Sequence, residues 1–187
     1  METGKLLNVI HTAEKLKDTT RHCYTSDGRH ESVAEHSWRA ALMAYFMRDE
    51  FPEADMDRVI RMCLIHDLGE IFTGDIPTFL KTEEDERREE ELLGCWVDDL
   101  PEPYRREMEG LYREMSELQT EEARIFKALD RLEAVIQHNE SDISTWAGNE
   151  YELNLTYGNE QTAFSSYLRE LRGMIREETL EKMKNQV

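Results

Sequence analysis

Apolar side chains along this 187-residue chain recur every three or four positions, the period of a helix with one face turned inward. Leu6, Val9, Ile10, Ala13 and Leu16 predict a first helix over residues 3–17. Ser32-Val33-Ala34-Glu35 has the form of a capping box, so a second helix starts there with His36 in its first turn. It is expected to run to about Phe51, where Pro52 stops it. A third helix is expected over residues 57–68, with Gly69 as its stop. Residues 18–31 carry Asp27-Gly28 and no sustained period, and residues 70–81 contain Thr73-Gly74-Asp75-Ile76-Pro77-Thr78; both read as loops. Residues 83–97 predict a charged helix, and Tyr104, Met108, Leu111, Met115 and Leu118 form another apolar stripe. Thr120 can cap a helix carrying Phe126, Leu129, Leu132 and Ile136, with Asp130 at the edge of that face. Residues 139–159 show no clear period, and Phe164, Leu168, Leu171 and Ile175 mark a last helix. No segment alternates like a strand. The pattern predicts a single all-α domain over residues 1–187, a bundle of about six to eight helices, with a core over about 6–138 and a helical extension over about 160–186.

Composition narrows the functional classes. Apolar residues make up 39% and charged ones 34%, a polar but foldable mixture. No apolar run approaches the roughly 20 residues of a membrane span, and the start Met1-Glu2-Thr3-Gly4-Lys5 has no signal-peptide pattern. Cys23, Cys63 and Cys95 are odd in number and widely spaced, which predicts reduced thiols and a cytoplasmic protein. A formal charge of −18 argues against nucleic-acid polymers and anionic membranes as partners. Any phosphate ligand would then need concentrated local positive charge.

The chemistry gathers in one stretch. His66-Asp67 closes an apolar helical run, with Glu70 and Asp75 following within eight residues; His36 lies upstream and Asp130 downstream. Neighbours on a helix point about 100° apart, so His66 and Asp67 converge on one ion most easily at a helix end. Two imidazoles and two carboxylates suit Mn, Fe, Co, Ni or Zn and fit calcium poorly. Taken singly, each residue has an ordinary reading: His36 at a helix start, His66-Asp67 as a helix C-terminal pair, Asp130 as partner to Arg131 or Arg124. Burying such groups without compensation costs several kcal/mol, and a shared cation offsets that cost.

The string Arg21…Glu31-Ser32-Val33-Ala34-Glu35-His36-Ser37…His66-Asp67-Leu68-Gly69-Glu70…Thr73-Gly74-Asp75-Ile76-Pro77-Thr78…Lys81, with Lys127-Ala128-Leu129-Asp130, resembles the HD superfamily of metal-dependent phosphohydrolases over about residues 6–138. It is similar to the 5'-deoxynucleotidase branch. The resemblance implies one divalent transition metal held by His36, His66, Asp67 and Asp130, and release of phosphate from (deoxy)nucleoside 5'-monophosphates by a metal-bound water. It implies Glu70 and Asp75 as the proton-handling pair, with acid and base interchangeable, and Arg21 as phosphate clamp. Arg21, His22, Asp75, Ile76, Pro77, Thr78 and Lys81 would line the substrate site together with His36, Asp67 and Asp130. A homodimer is implied as well. His22 departs from the pattern, standing where the best-matched deoxynucleotidases carry a tryptophan beside the sugar; either the imidazole meets the sugar or it points elsewhere and Tyr24 supplies the wall. His11, His30 and His138 have no evident partner and read as surface or core residues. Two other readings are a hydrolase for an alarmone or cyclic nucleotide and a non-catalytic nucleotide-sensing domain.

Overall fold

The architecture comes from a computed structural model, which describes residues 1–185. The helices are α1 (Thr3–Ala13), α2 (Val33–Phe46), α3 (Met56–Ile65), α4 (Glu70–Thr73), α5 (Glu83–Asp98), α6 (Tyr104–Glu117), α7 (Glu121–Glu140), α8 (Glu150–Thr156), α9 (Asn159–Thr162) and α10 (Ser166–Lys184). Residue 186, the end of the expected extension, lies outside the described residues. The all-α expectation holds, with one addition. Much of residues 18–31, expected as loop, forms a small antiparallel hairpin of β1 (Thr20–Tyr24) and β2 (His30–Ser32). Its strands are short and polar, so periodicity cannot reveal them; β1 is held by packing on α7.

Helix α7 is the axis of the bundle, packing on α2, α3, α6 and α10. Ile125, Ala128, Leu129, Leu132 and Val135 on it are wholly buried. Burying a leucine of this kind contributes about 1.5–3 kcal/mol. Ala40 and Ala44 on α2 are also fully buried, and such small side chains let a neighbouring helix approach closely. Here α2 packs on α3 through Val59, Met62 and Cys63.

The helix ends place the chemistry. The Ser32 hydroxyl accepts from the Glu35 amide at 3.3 Å, and the Glu35 carboxylate accepts from the Ser32 amide at 2.9 Å. A cap of this kind is worth about 1 kcal/mol and fixes the first turn, in which His36 sits. Helix α2 ends at Phe46, earlier than the proline-based expectation, and a short 3-10 turn at Arg48–Glu50 covers the remaining residues. Helix α3 ends at Ile65, three residues before the expected stop, and the Tyr112 hydroxyl pins that end by donating to the Ile65 carbonyl at 2.6 Å. Gly69 does not stop the helix. Its backbone is right-handed, and a Cβ there would stand 2.6 Å from Glu89 Cγ, so a close approach demands glycine. Gly74 has φ +79° and open space around it, so its reason is conformational.

Candidate metal centre

His36, His66, Asp67 and Asp130 come from three elements and meet at one point. His36 Nε2 lies 3.3 Å from His66 Nε2, 3.7 Å from Asp67 Oδ2 and 3.4 Å from Asp130 Oδ1. His66 Nε2 lies 3.0 Å from Asp67 Oδ2 and 3.7 Å from Asp130 Oδ1. Ligands about 2.1 Å from one ion stand about 3.0–3.4 Å apart in octahedral or tetrahedral arrangements. His36, His66 and Asp67 group as a candidate site for one transition-metal ion, with Asp130 Oδ1 facing both imidazoles.

Both imidazoles are oriented from behind. His66 Nδ1 donates to the Cys63 carbonyl at 2.9 Å, and His36 Nδ1 bonds Glu133 Oε2, so each ring turns Nε2 toward the common point. Glu133 is 0% exposed, and its other oxygen accepts from Arg39 Nε at 2.6 Å. Arg39 continues to Gln137, whose amide nitrogen donates to the Tyr24 carbonyl at 2.6 Å. This chain ties the hairpin, α2 and α7 to the cage. Lys127 holds Asp130 Oδ2 at 2.8 Å, while Arg131 stands 4.0 Å away. Arg39, Glu133 and Gln137 escaped the sequence reading. Glu133 follows Asp130 by one helical turn and so shares its face, which was the available signal.

Carboxylates crowd this centre, and protons answer them. Burial lowers the His66 pKa, yet Asp67 and Asp130 outweigh it and take the imidazole up to about 10. Against its own burial, Asp67 is held well below the usual carboxylate range by His66 and His36. Glu70 is buried, its Oε2 has no hydrogen-bond partner among the described residues, and burial with the charges of Asp67 and Asp75 pushes its pKa up to about 10. A metal ion held here would displace such imidazole protons and take over the balancing charge.

Arg21 approaches from β1, with Nε 3.2 Å from Glu31 Oε2 and Nη1 3.8 Å from Asp67 Oδ2. His22 turns to a different partner, Glu150 Oε1, at 2.7 Å. Tyr24 stacks on His30, with ring centroids 4.1 Å apart. Asp75, Ile76 and Pro77 lie half-buried in the loop after Gly74, and exposed Thr78 meets the Tyr157 hydroxyl at 3.3 Å. Lys81 is bonded to Glu89 at 2.7 Å and lines a cleft of about 400 Å³ with His66, Asp67 and Lys127. His138 is buried, in keeping with the core reading, and has a partner that the sequence did not show, Glu150 at 3.5 Å, beside His22.

The HD domain family profile matches residues 13–172. The chain belongs to the HD domain family. It is 36% identical over 139 residues to the mouse 5'-deoxynucleotidase HDDC2, a match covering 72% of this chain and 69% of the relative. Its fold is similar to that of a Magnetospirillum magnetotacticum protein described as a predicted metal-dependent phosphohydrolase, with TM-score 0.80, 27% identity and coverage of 96% and 93%. The HD phosphohydrolase DatZ of cyanophage S-2L, solved with dA and one catalytic Zn2+ ion, matches at TM-score 0.61 and 20% identity, covering 97% of this chain and 98% of that one, a likeness of fold.

Proposed function

We propose that this HD protein is a metal-dependent phosphomonoesterase acting on (deoxy)nucleoside 5'-monophosphates. The convergence of His36, His66, Asp67 and Asp130 beside Arg21 carries the reading. The mouse relative named as a 5'-deoxynucleotidase supports the substrate class. A bound divalent ion supplies Lewis acidity and lowers the pKa of water to near neutrality.

The protein's side chains do the rest. The planar guanidinium of Arg21, steadied by Glu31, presents parallel donors to phosphate oxygens and holds the phosphorus for in-line attack. Glu70 and Asp75 divide the proton work, one orienting and deprotonating the water and the other protonating the departing 5'-oxygen. Lys127 and Glu133 keep Asp130 and His36 aimed inward. Lys81, Ile76, Pro77 and Thr78 border the nucleotide. We assign the protein to the cytoplasm as a homodimer. Three free cysteines support the first assignment, and the exposed apolar faces of α1 (Leu7, Ile10) and α2 (Trp38, Phe46) support the second. Among the described residues no helix is long and apolar enough to cross a membrane.

The test is phosphate release from a panel of dNMPs, NMPs, cyclic nucleotides and an alarmone, after EDTA stripping and add-back of single metals. Monophosphates should turn over only with a transition metal, and Asp67→Ala should lose metal and turnover together. Turnover confined to cyclic or alarmone substrates, or an Asp67→Ala variant with native metal content, defeats the reading.

A further inference from the structure

A second group of ligand-type side chains meets between β1, α7 and α8. Glu150 is 2% exposed, and its Oε2 accepts from the Ala147 amide at 2.6 Å, which fixes the carboxylate. Oε1 then faces His22 Nε2 at 2.7 Å and His138 Nε2 at 3.5 Å, and the three donor atoms lie within 4.8 Å of one another. The rings are held by their neighbours: His22 meets Phe79 edge-on at 5.6 Å, and His138 meets Trp146 at 6.0 Å. None of the three residues belongs to the cage of His36, His66, Asp67 and Asp130. Among the described residues, the ion-pair partners of Glu150 are these two imidazoles, with no lysine or arginine. A buried carboxylate in that position lacks a permanent cation.

We propose that His22, His138 and Glu150 form a second site for a divalent transition metal, in the wall of the cavity that also carries Arg21. Two imidazole nitrogens and one carboxylate oxygen are the donor set of three-ligand zinc sites, which keep a further position open. Donors around one ion stand about 3.4 Å apart in a tetrahedron, so opening the 2.7 Å contact by a fraction of an ångström admits the ion. The cavity offers about 40 Å³ beside these residues, room for water or one donor atom of a bound molecule at the open position. Imidazole donors select Zn2+ or Co2+ over Mg2+ or Ca2+. Residues 22, 138 and 150 are far apart in sequence, and only the fold assembles them.

The experiment is a titration of the chelator-stripped full chain with Co2+ and with Zn2+, reading ions bound per chain and the visible absorption of cobalt. The parent should bind two ions per chain, and Asp67→Ala should keep one. Glu150→Gln preserves the size of the side chain and an acceptor for the Ala147 amide. It should keep the cage ion and weaken the other by more than about 100-fold, beyond the 10–100-fold typical of losing a supporting hydrogen bond. His22→Ala removes a side chain that is one-third exposed, so the fold tolerates it, and it should weaken the same ion. One ion per chain in the parent, or two ions indifferent to both Glu150→Gln and His22→Ala, overturns the proposal. Failure of the cage itself reads out separately, as unchanged binding in Asp67→Ala.

Discussion

Glu133→Gln tests whether the support behind the metal ligands matters as much as the ligands do. Glu133 is fully buried and serves two partners at once, His36 Nδ1 through Oε2 and Arg39 Nε at 2.6 Å through Oε1. Glutamine keeps the shape and one acceptor oxygen, which can still serve His36. The other position becomes an amide NH2 facing the Arg39 donor, and the charge that makes His36 a better ligand is gone. Loss of such a supporting partner lowers metal affinity about 10–100-fold, or about 1.4–2.7 kcal/mol. Glu133→Ala is harsher. It removes both acceptors and leaves a buried guanidinium edge and an imidazole N–H unpaired, a cost of about 3–5 kcal/mol against a total stability of about 5–15 kcal/mol.

Two measurements separate the effects. Competition for Zn2+ or Co2+ against a chromophoric chelator gives the affinity, and thermal melts in EDTA give the metal-independent stability. Glu133→Gln should melt about 4–8 °C lower in EDTA if it loses about 2 kcal/mol, since a protein of this size shifts about 2–4 °C per kcal/mol. Metal affinity within twofold of the parent, with unchanged turnover, would refute the account of how His36 is aimed.

Three further outcomes are expected. The Glu70 carboxyl has its pKa raised from 4.5 to about 10 in the folded chain, so the protonated form is favoured and stability is lost as pH rises from about 4.5 toward 10. Metal-free Glu70→Gln should therefore gain up to about 3 kcal/mol over the parent at pH 7 and almost nothing at pH 4.5, read from paired melts in EDTA; an equal difference at both pH values contradicts it. Arg21→Ala should raise KM and lower kcat with metal content intact, and unchanged kinetics toward every monophosphate would return Arg21 to a structural ion pair with Glu31. His22→Trp should sharpen the preference for dAMP over AMP, because an indole leaves a 2'-hydroxyl without a partner at about 1–3 kcal/mol, whereas an imidazole can bond it; a parent that already strongly prefers dAMP, unaltered by the substitution, removes His22 from the sugar site.

What was legible in the chain followed from local rules. The capping box at Ser32 set the start of α2, and the apolar period of Leu129 and Leu132 set α7, so His36 and Asp130 could be placed on helices in advance. A helix end near His66-Asp67 was legible, because two adjacent ligands converge most easily there, although the expected stop fell three residues late. Long-range contacts were not. Arg39 reaches Glu133 across 94 residues and His22 reaches Glu150 across 128, and no spacing rule connects such pairs. The hairpin hid for the same reason, since a five-residue polar strand acquires its identity from the helix it packs on. Helix ends drifted by three to five residues where tertiary contacts intervened, as Tyr112 does at Ile65.

A single imbalance accounts for several features of the site. Asp67, Asp130, Glu133, Glu31, Glu70 and Asp75 outnumber Arg21, Arg39 and Lys127 around the cage. Burial raises Glu70 first and the excess of negative charge adds to it, while the same excess raises His66 against its burial, because each added proton relieves the repulsion. A divalent cation relieves it more completely and at the one point where four donors converge. A chain of formal charge −18 can then hold a phosphate ester. On the proposed function the anion would meet the metal and the Arg21 guanidinium directly, at distances where a buried site screens little, while the remaining carboxylates lie on exposed faces such as that of α5 and are screened by salt within about 10 Å. On this reasoning the acidic interior selects for the metal-loaded state, and the metal-loaded state is the one with positive charge to offer a phosphate.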